Sequence, residues 1–171
     1  MNFKPEIIRH RDTLNELRER MAVTFRMRGR SEQHRQAWLD ACKAFHGSRS
    51  AVDDRLDQVS RVMIAENRHM RKFVFDFLSV DPVFFRSGYR KERLLRMLKP
   101  LDLAEDEKAI LRQIILRRVH TGALREFRLF CKLMPKIRTD EFLAELRTAS
   151  RSADGNIKRR ALFALGYAVS P

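Results

Sequence analysis

Apolar residues in the first stretch of the chain fall at Ile7, Leu14, Leu17, Met21 and Phe25. Spacings by threes, fours and sevens put them on one helical stripe, of the kind seen in bundles and coiled coils. Pro5 suits a first helical turn and Gly29 follows the end, which predicts a helix from Pro5 to about Met27. A second helix is predicted from a Ser31 cap to Phe45, with Gly47 as the stop and Ala37, Trp38, Ala41 and Phe45 on its buried face. The third pattern is the longest. Val52, Leu56, Val59, Met63, Met70, Phe73 and Phe77 keep helical spacing, and only Glu66 interrupts the seam. Ser50 and Asp53 stand before it as a capping box. This predicts a single helix of about 28 residues, roughly 40 Å long. Three helices of unequal length joined by glycine-containing turns read as an antiparallel bundle.

The stretch Phe73–Phe85 holds five phenylalanines and an Asp81-Pro82 break, and is read as the joint between two packed units. A helix over Ser87–Leu98 follows, stopped before Pro100. From Ala104 onward the predicted helices shorten: Glu105–Val119, Ala123–Met134, Asp140–Ser150 and Asn156–Ala168, with turns at Gly122, Pro135 and Gly155. The expected organisation is a long-helix bundle over 1–80, a Phe-rich joint with a basic helix over 81–103, and helix pairs over 104–171.

Shorter helices with brief turns call for a repeat test. A shift of 34 positions sets Ala123, Phe127, Phe130, Cys131 and Met134 opposite Ile157, Ala161, Ala164, Leu165 and Ala168. A shift of 32 pairs Ile110, Leu111 and Ile114 with Phe142, Leu143 and Leu146. The segment Phe142-Leu-Ala-Glu-Leu146, followed by Asp154-Gly-Asn-Ile157-Lys-Arg-Arg-Ala161-Leu-Phe-Ala164-Leu-Gly166, resembles a HEAT-like repeat. The resemblance covers about residues 104–168. It departs from the pattern in order, because the chain would end on a first helix without its second. What the resemblance implies is a curved helical stack with a binding surface and no reaction of its own.

Composition narrows the picture further. Only 6 glycines and 5 prolines argue against an all-β protein, while 44% hydrophobic residues suffice for a core. The expected class is all-α. The formal charge is +14, spread as +5 over residues 1–50, +4 over 51–100 and +5 over 101–171. Of the 36 cations 27 are arginine, so the excess is a property of the whole molecule and not of a tail. Such a field favours encounters with polyanions. No apolar run is long enough for membrane insertion, and the first residues lack a secretion signal. Cys42 and Cys131, 89 residues apart on predicted apolar faces, read as small buried hydrophobes in a reducing, cytoplasmic setting.

Catalytic signatures are missing: there is no nucleophile elbow, phosphate loop, H-E-x-x-H or zinc-spaced cysteine set. Glu66 and His69 make one E-x-x-H pair, half of what a di-iron bundle needs, and are read as structural. Asp53, Asp54 and Asp57, like Glu105, Asp106 and Glu107, begin helices, where carboxylates favour the positive dipole end. The expectation is a non-catalytic protein with no metal or cofactor. The candidate chemistry lies in its basic groups. Arg117, Arg118, Arg125, Arg128, Lys158, Arg159 and Arg160 would form a ladder if the repeats stack. A second group, Arg86, Arg90, Lys91, Arg93 and Arg96, surrounds Tyr89. Together they suggest an interaction or adaptor protein whose basic face binds an acidic partner protein. The alternative is direct nucleic-acid binding through the same face, with Tyr89 as a stacking platform. The plain counterpart is a set of solvated faces neutralised by nearby Glu and Asp. The outcomes part on one point: whether cations from separate helices converge.

Overall fold

The structure, a computed structural model, describes residues 2–169. Among the described residues every regular element is a helix: α1 Lys4–Met27, α2 Glu32–Gly47, α3 Ala51–Gln58, α4 Arg61–Glu66, α5 Arg68–Val80 and α6 Ser87–Leu98, then α7 Glu105–Thr121, α8 Phe127–Cys131, α9 Met134–Ile137, α10 Asp140–Ala149 and α11 Gly155–Val169. The protein is all-α.

The expected long third helix is instead three short ones. Ser60 Oγ accepts from Met63 N–H at 3.2 Å, and Asn67 Oδ1 accepts from His69 and Met70 N–H at 3.0 Å each. Each side chain satisfies donors that a continuing helix would bond to its own carbonyls, so the helix stops and restarts. The Ser50–Asp53 capping box forms as anticipated. Burial follows the expected seam at Val52, Leu56, Val59, Met70, Phe73 and Phe77, but within α4 the fully buried residue is Ile64 and Met63 is half-buried, because the restart at Ser60 rotates the helix face. Glu66 closes α4 and His69 lies in α5, both exposed, so the E-x-x-H pair does not share a helix. The expected Ala123–Met134 helix is likewise divided into α8 and α9, with Pro135 in the first turn of α9. Residues 123–126 stay outside it, and Glu126 turns inward to 2% exposure.

The core is one connected cluster from Phe3 to Ala168. Its spine is α5, which buries Met70, Phe73, Val74, Phe75, Phe77 and Leu78. Phenylalanine edges continue the packing: Phe3 meets Phe73 edge-on at 5.5 Å and Phe77 meets Phe84 at 6.4 Å. Of the five phenylalanines in that stretch, only Phe85 is exposed. The two most extensive helix pairs are α1 with α2 and α10 with α11. In α1 only Ile7 and His10 are buried. Leu14, Leu17 and Met21, with Trp38 of α2, remain half-covered, and Val23, Phe25 and Leu39 are exposed. The α1–α2 hairpin is an arm with an incompletely covered seam.

A buried ion cluster ties α5 to the helices that follow. α5 ends at Asp81, whose left-handed backbone (φ +49°) turns its carboxylate inward. That carboxylate takes Lys91 Nζ at 2.7 Å, Arg118 at 2.5 Å and Arg117 at 3.4 Å. Lys91 is fully buried and also pairs with Glu126. α6, α7 and the turn before α8 are thereby held in fixed relation. The two carboxylates match the two well-buried cations, Lys91 and Arg118, where desolvation is most costly, while the third cation, Arg117, is largely exposed.

Basic side chains also close helix ends. Arg93 donates to Leu56 O and Val59 O, Arg112 to Ile137 O, Arg138 to Ala168 O, and Arg160 to Val119 O. Many short helices leave many terminal carbonyls unpaired, and guanidinium groups suit them in hydrogen bonding and in dipole sign. Part of the arginine excess is therefore structural.

His10 is 6% exposed, with Nδ1 2.9 Å from Ser50 Oγ and its ring edge-on to Phe84 at 5.0 Å. Burial lowers its pKa below the ordinary 6.5, although Asp53 and Glu6 act in the opposite direction. A histidine kept neutral by the fold protonates more readily in the unfolded chain. Its contribution is therefore present above pH 6.5 and lost as pH falls through the depressed folded value. His10→Gln is expected to flatten the loss of stability as pH falls below 6.5, read by urea melts. An unchanged pH slope would remove His10 as its source.

Candidate binding groove

Two hollows meet on one side of the molecule. The first, about 730 Å³, is lined by Val59, Ser60 and Arg61 at the α3–α4 junction, by Tyr89, Glu92, Arg93, Arg96 and Met97 of α6, and by Arg125. The second, about 360 Å³, is lined by residues 123–125, by Phe127 and Arg128 of α8, and by Arg159, Arg160 and Phe163 of α11. Arg125 lines both. Seven arginines from four parts of the chain thus line two hollows that share one wall residue. Glu92 is the one carboxylate in its lining among the described residues, and it is already bonded by Arg125 Nε at 2.7 Å.

Each positioned side chain has a local reason for its place. Gly122, at φ +130°, ends α7 in a conformation that an L side chain rarely adopts. The turn after it is fixed by buried Glu126, which leaves Arg125, its neighbour, facing outward. The Arg125 guanidinium lies 4.0 Å from the Tyr89 ring centre, a cation–π contact that holds it extended over the groove. Arg128 Nε donates to Tyr167 Oη at 3.0 Å, and Arg159 donates to Asn156 Oδ1 at 3.1 Å. Asp154 caps α11 by accepting from Asn156 and Ile157 N–H, which sets the phase of the Arg159–Phe163 turn. Phe163 stacks on buried Phe127 at 6.0 Å while remaining 42% exposed. Tyr89 is 57% exposed.

Not all of the sequence-identified cations come together. Arg125, Arg128, Arg159 and Arg160 gather at the second hollow, while Tyr89, Arg93 and Arg96 gather at the first. Arg117 and Arg118 turn to Asp81 instead. Lys158 is exposed but lines neither hollow. Arg90 pairs with Asp53 and Asp57 across α3, and Arg86 sits over Phe85. Lys91, inside the ion cluster, has no solvent-facing surface. Sequence reasoning missed Arg61, Glu92, Leu124 and Phe163 as lining residues. The signal available was the apolar pair Leu162-Phe163, one residue after Arg159-Arg160, which the fold leaves exposed. Outside the groove, the arm carries Arg20, Arg26, Arg28 and Arg30 with no carboxylate between positions 20 and 31. There Arg28 stacks on Phe25 at 3.5 Å.

Reactive groups are sparse by comparison. Burial pushes the Cys131 thiol up to about 12, far from a nucleophile's range at neutral pH. Among the described residues no group of three or more His, Cys, Asp or Glu is placed to hold a metal ion, and no helix is long and apolar enough to cross a membrane. The fold and groove define an all-helical protein with an arginine-lined surface channel. Comparison with known protein families, curated sequences and solved structures gives no match, so the groove is read from its own geometry.

Proposed function

We propose that this is a non-catalytic binding module whose arginine-lined groove receives an acidic segment of a partner protein. The observation that carries the reading is Arg125, which lines both hollows and joins the cations of α4, α6, α8 and α11 into one strip. Guanidinium groups pair bidentately with carboxylates, and Arg61, Arg128 and Arg159 make no ion pair among the described residues, while Arg93 and Arg160 are held on backbone carbonyls. A HEAT-like stack over residues 104–168 is proposed as the frame, supported by the α10–α11 pair packed on α7. A second reading, single-stranded nucleic acid, is supported by the exposed Tyr89 ring among cations.

The readings are separated by titrating the protein with a labelled Asp/Glu-rich peptide and with a labelled single-stranded oligonucleotide of matched charge, followed by anisotropy at about 50 mM and about 200 mM salt. The peptide is expected to bind more tightly at both salts. Tighter binding of the oligonucleotide, with a log–log salt slope of about −0.7 per phosphate contacted, transfers the groove to nucleic acid. No peptide binding at the lower salt removes the acidic-partner reading.

A further inference from the structure

The hollow between α8 and α11 is more than a patch of charge. Its floor is Leu124, Phe127 and Phe163, with Leu124 37% and Phe163 42% exposed, and its rim is Arg125, Arg128 and Arg159. Phe127 is buried and supports the Phe163 ring from below. Exposed large apolar side chains beside guanidinium groups leave apolar surface that no described residue covers. A purely acidic segment would satisfy the rim and waste the floor. A purely apolar one would do the reverse.

We infer that the hollow is an anchor pocket, taking one large apolar side chain, leucine or phenylalanine, from an acidic segment whose carboxylates pair with Arg125, Arg128 and Arg159. This rests on the groove being the ligand surface and adds what the ligand must carry. Buried apolar anchors inside a polar rim are where interface energy concentrates, since the rim excludes water from the anchor while its own charges select the partner. About 360 Å³ is ample for a single aromatic ring and too little for a helix face. The charge around it specifies the flanks as acidic, because Arg125 and Arg159 reach it from two different elements, the turn before α8 and α11.

The test uses the full-length protein and two synthetic peptides of identical Asp/Glu content, one with a central phenylalanine and one with alanine in its place. The phenylalanine peptide is expected to bind about tenfold more tightly. Leu124→Ser with Phe163→Ser is expected to reduce that ratio to near one without changing affinity for the alanine peptide. Both positions are exposed, and an unchanged far-ultraviolet circular dichroism spectrum verifies the fold. Equal binding of the two peptides to the wild type overturns the anchor pocket and leaves the acidic-segment reading standing. A preference that survives the double substitution also overturns it, by placing the anchor elsewhere. Binding of neither peptide, at a salt where the charge contacts should hold, overturns both.

Discussion

Lys91→Met is expected to destabilise the fold by about 3–5 kcal/mol. The substitution nearly preserves length and packing, so the loss isolates charge. Lys91 has no exposed surface and sits between Asp81 and Glu126, themselves 5% and 2% exposed. Without its ammonium group, Asp81 still has Arg118 at 2.5 Å, but Glu126 has no other cation among its ion pairs. An ionised carboxylate left alone in the core is the expensive outcome, and removing it as well should recover stability. Lys91→Met with Glu126→Leu is therefore predicted to be more stable than Lys91→Met alone, read by urea denaturation. A loss of less than about 1 kcal/mol for the single variant would mean that water reaches this cluster.

Reversal of Arg125, Arg128 and Arg159 to glutamate is predicted to weaken binding of an acidic peptide by at least about 100-fold. The fold should tolerate it. Arg128 and Arg159 make no ion pair, and although Arg125 pairs with the largely buried Glu92, Glu92 keeps Arg96 as a second cation. The informative control reverses Arg20, Arg26 and Arg30 of the arm, which changes net charge by the same amount. At physiological salt, charges more than about 8 Å away are largely screened, so this control is expected to change affinity by less than about threefold. Equal losses in the two variants would make binding a matter of net charge and not of the groove.

Sequence and structure agree where local chemistry decides. Pro5, Ser31, Ser50, Asp53, Gly122 and Asp154 mark helix ends because each supplies or removes a particular hydrogen bond. Ser60 and Asn67 act by the same chemistry but lie inside an apolar rhythm that only Glu66 interrupts, and a capping residue can be told from a solvated one only by the turn it makes. The groove was legible in part. Its arginines cluster in sequence, but which ones face outward depends on distant partners: Asp81 draws in Lys91, Arg117 and Arg118, ten or more positions away. Arg61 has no local cluster to announce it, and both Arg61 and Phe163 reach the groove only through the packing of α4 and α11.

One titration reaches furthest: the arginine Nε–Hε resonances of the isotope-labelled protein, followed as an acidic peptide is added. Arg96, Arg125, Arg128 and Arg159 are predicted to shift together along a single binding curve, with Arg20, Arg26 and Arg30 still. Shifts led by the arm, or separate curves for the two hollows, would contradict a single continuous groove.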